Sequence, residues 1–173
     1  DQVQNQLGLD KVYLMPTYLP PHVDEKKTIS SEHRLAMLEL AVADNPCLDI
    51  EPIELIRKGK SYTYDTMKAL KEANPDTDYY FIIGGDMVEY LPKWHRIDDL
   101  LHLVQFVGIR RPNYPTESTY PIIWVDVPQM AISSTLIRQK VKSGCSIRYL
   151  LPENVINYIQ EKGLYQDELD NKL

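Results

Sequence analysis

Cysteine is scarce: there are two in 173 residues, Cys47 and Cys145. They share no C-x-x-C spacing and have no histidine cluster beside them, which excludes a disulfide framework and a thiolate zinc site. Positive charge is short as well, with 19 Lys and Arg against 25 Asp and Glu and a net charge of −6. That balance removes a general nucleic-acid or anionic-membrane surface, so any phosphate ligand must be gripped locally. No apolar run approaches the roughly 20 residues of a membrane span, and the N-terminus lacks a signal-peptide pattern, so a cytoplasmic protein is expected. Neither G-x-x-x-x-G-K-[ST] nor G-x-G-x-x-G occurs, which excludes a P-loop and a dinucleotide fingerprint, and there is no internal repeat. What remains, 43% hydrophobic and 25% charged residues, is the make-up of one globular domain with a real core.

The chain opens on DQVQNQLGLDKVYLMP. Val3 and Leu7, four apart, with Gly8 as a stop, predict a short helix, and Val12 to Met15 a strand. A fold rarely begins on the last turns of a helix, so residues upstream of Asp1 are expected. A proline-rich loop, Pro16 to Thr28, precedes a helix from about Ser31 to Asp44 with Leu35, Leu38 and Val42 on one face. A strand is expected over Leu48 to Ile56, a charged turn over Arg57 to Lys60, and then a helix capped by Asp65 or Thr66 that ends before Asn74-Pro75. YYFIIGGD reads as a strand buried on both faces, IDDLLHL as a short helix, and VQFVGIRRP and PIIWVDVP as two further strands. A helix at ISSTLIR stopped by Gly144 and a last helix from Pro152 to Lys162, with Gly163 beyond its end, complete the pattern. Strands alternating with helices predict an α/β, doubly wound parallel sheet covered on both faces. Residues 1–165 form the domain, and 166–173 are a charged tail.

Ligands of such sheets bind beyond the carboxyl ends of the strands. There the sequence puts Pro20-Pro21-His22, Ser61-Tyr62-Thr63, Gly84-Gly85-Asp86, Arg110-Arg111 and Ile132-Ser133-Ser134-Thr135. At ISSTLIR, Ser133 or Ser134 is an ordinary N-cap. Arg138 is poorly placed for helix stability near a positive helix end, and a bound anion would explain it. Gly84-Gly85-Asp86 is either a tight strand exit or a place where a ligand nears the backbone while Asp86 accepts ribose hydroxyls. Trp94 in EYLPKWHR is either a core anchor or a stacking platform. His22 alone would be an ordinary solvated loop histidine, and Tyr62 and Thr63 ordinary turn residues.

Taken together, PPH at Pro20 to His22, RKGKSYTYDT, GGD with Trp94, RRP, ISSTLIR and YLLPENVINYIQEKGLY resemble the bacterial nicotinate-nucleotide adenylyltransferases. The likeness runs from about Leu7 to Tyr165, and ISST-x-x-R with SYT-x-DT and G-x-D…W in this order is highly specific. It implies a single-domain, Rossmann-like nucleotidyltransferase fold that moves AMP from ATP, with magnesium, to nicotinate mononucleotide, giving deamido-NAD and pyrophosphate in NAD biosynthesis. By the same resemblance Ser133, Ser134, Thr135 and Arg138, with Gly84 and Asp86, attend ATP, Ser134 and Arg138 being catalytic. His22, Tyr62, Thr63, Asp86, Trp94, His95 and Arg110 would bind nicotinate mononucleotide. No resident metal site is implied, and homo-oligomerisation is left open.

Two departures stand out. The family's H-x-G-H segment, whose histidines stabilise the transferring phosphate, is not found among His22, His33, His95 and His102. Val23 stands where the family tends to place lysine, with Lys26 or Lys27 as substitutes. Rival readings are an adenylyltransferase for nicotinamide mononucleotide or a pantetheine phosphate, and a non-catalytic nucleotide-binding module.

Overall fold

The computed structural model describes residues 1–18, 29–111, 114 and 117–166. In chain order the elements are α1 (Gln2–Leu7), β1 (Val12–Leu14), α2 (Ser31–Val42), β2 (Leu48–Ile50), α3 (Ile53–Arg57), α4 (Thr63–Ala73), β3 (Tyr79–Gly84) and α5 (Gly85–Val88). A 3-10 turn (Leu91–Lys93), α6 (Ile97–Leu100), β4 (Val104–Ile109), β5 (Ile122–Val125), α7 (Ser134–Lys142) and α8 (Glu153–Glu161) follow. All five predicted strands are present and every pairing is parallel, in two sheets ordered β1-β2 and β3-β4-β5. The fold is therefore α/β with parallel strands, as expected. Contacts within it divide into two compact units, Asp1–Leu9 with Lys58–Gln129 and Asp10–Arg57 with Met130–Leu173.

In the first unit, side chains of β3–β5 alternate between two apolar clusters, the period-two consequence of the pleat. Phe81, Ile83, Val104, Phe106, Ile122 and Trp124 join Tyr64 and Met67 of α4 and Ile97 and Leu100 of α6. Tyr80, Ile82, Val107, Ile109, Ile123 and Val125 join Val3 and Leu7 of α1. Helices thus cover both faces of this sheet. Gly108 sits on the first face, where a Cβ would lie 2.7 Å from Trp124 Cζ3 and 2.8 Å from Ile122 Cγ2, so the Trp124 indole occupies the room a side chain would need.

The second unit packs α2 against β2 and α8. Its core comprises Ile29, Ile137, Ile147, Val155, Ile159 and Leu164. Ser30 Oγ accepts from the His33 amide at 3.3 Å and caps α2. Asn154 Nδ2 donates to the Leu40 carbonyl at 2.5 Å, and His33 Nδ1 lies 2.9 Å from the Tyr158 hydroxyl. At the end of α8, Gly163 takes φ 62° and Leu164 folds back into the cluster with Ile159, the expected glycine stop.

Two boundaries and one helix face differ from the sequence expectation. The strand expected over Leu48 to Ile56 ends at Ile50. Pro52 has no amide for a ladder; Glu51 Oε1 accepts from the Ile53 amide at 3.0 Å, and α3 begins there instead. The helix expected to start at Asp65 or Thr66 starts at Thr63, with Tyr62 as an extended N-cap and no side-chain cap bond, because Tyr64 and Met67 are drawn into the core. On α2, of the predicted face Leu35, Leu38 and Val42, Val42 is buried, while Met37, Leu40 and Ala41 pack on the unit's core. Ser31, Glu32, His33, Arg34 and Glu39 are spread around the helix among its apolar residues, so its sequence does not select a face.

Candidate active site

The first unit gathers seven of the expected residues. Gly84 ends β3 and Asp86 lies in the first turn of α5, which starts with no intervening loop. Asp86 is half-buried; its Oδ1 is buried and makes no hydrogen bond, although Arg111 Nε stands 3.4 Å away as an ion pair. Arg110, the arginine singled out by resemblance, has another commitment: its Nη1 donates to Asp126 Oδ2 at 2.7 Å and its carbonyl accepts from Gln129 Nε2 at 2.9 Å.

Trp94 is anchored from below by the core. Its ring is edge-to-face with Phe81 (centroids 5.8 Å apart, 90°) and Phe106 (5.9 Å, 74°), while its Nε1 is buried without a hydrogen-bond partner. The fold brings the SYT and WHR segments together: the Tyr62 and His95 rings lie 4.6 Å apart at 38°, and Tyr64 meets His95 edge-on at 6.5 Å. Arg96, in the left-handed region at φ 54°, lays its guanidinium 4.0 Å over the Tyr64 ring and donates to Asp99 Oδ2 at 2.7 Å. That Asp99 bond holds the guanidinium pKa above its usual value. Ser61, 3% exposed, has a hydroxyl with no hydrogen-bond partner. Thr63 opens α4 beside this cluster in sequence.

The second unit carries the start of α7. Ser133 is the cap, its Oγ accepting from the Leu136 amide at 3.2 Å, a bond worth about 1 kcal/mol. That leaves Ser134 and Thr135 exposed on the first turn, with no acidic residue there. Arg138 Nη2 donates to Thr135 Oγ1 at 3.2 Å, so its neighbour across the turn is Thr135 and not Ser134. Tyr165 is pushed to a higher pKa by burial, against the pull of the Arg138 and Arg34 charges. Arg34 Nη1 donates to the Thr17 carbonyl at 2.8 Å, and its Nε is buried without a hydrogen-bond partner. His22, Val23, Lys26 and Lys27 lie outside the described residues.

Sequence reasoning passed over Arg96 and Arg34, and named Ser61 and Arg111 at the sheet edge without giving either a role; Arg111 carried a local signal as the second arginine of RRP. Elsewhere in the second unit a groove of ≈ 730 Å³, lined by Cys145, Ile147, Arg148, Tyr149, Ile156 and Gln160 among others, contains none of the expected residues.

The parallel α/β scaffold is that of a nucleotidyltransferase, for residues 1–140 match the cytidylyltransferase-like family model. A protein of Enterococcus faecalis (strain ATCC 700802 / V583) named "Probable nicotinate-nucleotide adenylyltransferase" is 99% identical over 173 residues, which are 100% of this chain and 79% of that protein. One from Streptococcus mutans serotype c with the same name is 61% identical over 166 residues, 96% of this chain and 79% of its own length. The chain therefore belongs to the cytidylyltransferase-like family and, within it, to the nicotinate-nucleotide adenylyltransferases. The structure of Plasmodium falciparum nicotinic acid mononucleotide adenylyltransferase complexed with NaAD superposes with a TM-score of 0.75 at 18% identity, covering 96% of this chain and 88% of that one, a likeness of fold.

Proposed function

We propose that this chain transfers AMP from magnesium–ATP to nicotinate mononucleotide, giving deamido-NAD and pyrophosphate. The observation that carries the reading is the 99% identity to the Enterococcus protein of that name. The geometry supports it: Ser61 Oγ and Trp94 Nε1, both in the unit holding the expected mononucleotide residues, are buried without hydrogen bonds. Buried polar atoms usually find partners, and a polar ligand would supply them.

In the proposed reaction an oxygen of the mononucleotide phosphate attacks the α-phosphorus in line. The new P–O bond forms as the bond to the leaving pyrophosphate breaks, so no covalent enzyme intermediate is needed. Positioning and charge stabilisation then carry most of the rate. Arg138, Ser134, Thr135 and the free amides of the first turn of α7 face the phosphates of ATP, since Ser133 is spent on capping. Asp86 accepts the ribose hydroxyls, and Trp94 stacks on the pyridine ring. Thr63, Tyr62 and the main chain at His95 receive the carboxylate, with His22 assigned to the same substrate by resemblance. Among the described residues no group of three or more His, Cys, Asp or Glu is arranged to hold an ion, and in this reading magnesium enters with the triphosphate. No helix among the described residues is long and apolar enough to cross a membrane.

The test is pyrophosphate release by the full-length protein with ATP and each of three acceptors. Nicotinate mononucleotide should be used with the highest kcat/KM. A higher value for nicotinamide mononucleotide or a pantetheine phosphate would transfer the assignment to that acceptor, and no release with any would favour a binding module.

A further inference from the structure

Two adjacent arginines leave the tip of β4, and the structure separates them. Arg110 is tied to Asp126 and, through its carbonyl, to Gln129. Arg111 instead turns toward the exit of β3, where its Nε lies 3.4 Å from Asp86 Oδ1. The register explains why they meet: Gly84 is paired with Ile109, so the residues that follow each strand emerge side by side. The backbone has been cleared for this contact. A Cβ at Gly84 would collide with Asp86 Oδ1 and lie 3.3 Å from Arg111 Nε and 3.4 Å from its Nη2. The missing side chain at 84 thus makes room for the Asp86–Arg111 pair, beside the two readings the sequence left open, a tight strand exit or a ligand near the backbone.

We propose that Arg111, rather than Arg110, is the positioning residue of this strand edge, turning Asp86 so that Oδ1 faces the protein and Oδ2 is presented to the ribose hydroxyls of nicotinate mononucleotide. This rests on the reading of Asp86 given above. A carboxylate free to rotate would spend part of each substrate encounter in the wrong rotamer, which raises KM without altering the chemical step. The guanidinium is half-exposed, its side chain 52% accessible, so the effect is that of a screened pair and not of a buried one.

The experiment compares Arg111→Ala, Arg111→Lys and Asp86→Ala in the full-length enzyme by steady-state kinetics against both substrates, with a thermal melt of each. For Arg111→Ala we expect KM for nicotinate mononucleotide to rise roughly 5-fold, with kcat and KM for ATP within about 2-fold of the parent and an unchanged melt. Arg111→Lys, which keeps the charge and loses the planar donor, should recover part of the KM. Asp86→Ala should show a larger KM rise, and removing Arg111 in that background should add nothing. An unchanged KM in Arg111→Ala beside an impaired Asp86→Ala overturns the positioning role alone. An unimpaired Asp86→Ala overturns the ribose assignment together with the inference built on it.

Discussion

Asp86 sits just past the end of β3 and Trp94 just past the 3-10 turn, packed against the core, whereas Ser134, Thr135 and Arg138 stand exposed on the first turn of a helix. The first group is held by Phe81, Phe106, Gly84 and Arg111, and its polar atoms are partly sealed from water. The second is held by one capping bond and one hydroxyl–guanidinium contact. Shape recognition needs walls that do not yield, and walls of that kind are also core. Charge recognition needs only donors at the right helix end. Substitution of the core-anchored Trp94 should therefore move binding and stability together, whereas at Ser134, Thr135 and Arg138 function should change with the fold left intact.

The largest effect expected from that contrast is at Arg138. Arg138→Ala should lower kcat about 100-fold, the scale of a lost charge stabiliser, with little change in KM for nicotinate mononucleotide or in the melting temperature. Steady-state assays beside a melt check it, and equal turnover would remove the residue from the reaction. Trp94→Ala should show the opposite pairing, losing about 3 kcal/mol of stability by urea titration, because truncating an anchored aromatic leaves a cavity beside Phe81 and Phe106. It should also abolish quenching of tryptophan fluorescence by nicotinate mononucleotide, leaving the Trp124 emission. If Trp94→Ala melts like the parent, the two units do not differ in the way described.

Smaller changes sharpen the comparison inside the second unit. Ser133→Ala should cost about 1 kcal/mol, while Ser134→Ala should stay within about 0.5 kcal/mol and lower turnover instead. Equal destabilisation by the two would mean that the cap is shared. The smallest effect is at the surface, where the Ile50 amide, 2.9 Å away, and then Lys11, 3.1 Å away, hold the Asp49 carboxyl below its usual pKa. A lowered folded-state pKa stabilises above the unfolded value and loses that contribution as pH falls through the folded one. The slight advantage of the parent over Asp49→Asn should thus be constant from about pH 5 to 9 and fade progressively below about pH 4 in thermal melts, as the folded-state carboxylate becomes protonated.

Much of this was readable because its cause is local. YYFIIG and VQFVGI are runs of β-formers, and Gly8, Gly144 and Gly163 stop helices by taking the left-handed conformation, with φ of 61°, 64° and 62°. The hydroxyl run before Leu136 announced a helix start, and the structure chose Ser133 from the two serines left open. What could not be read depends on neighbours distant in sequence. RRP offers two arginines of equal chemistry, and only the alignment of β3 with β4 brings Arg111 to Asp86. SYT and WHR are some 30 residues apart, and the Tyr62–His95 stack appears only when α4 and α6 pack.

The amino-acid order alone determined where the five strands and the longer helices lie, where most of them stop, and which residue types stand near their ends, since these follow from backbone sterics and side-chain period. Tertiary structure decided which face of α2 is covered, that Trp94 rests edge-on against two phenylalanines, and that Gly84 clears space for an ion pair. Those outcomes depend on packing partners brought in from elsewhere in the chain, and no local pattern encodes them.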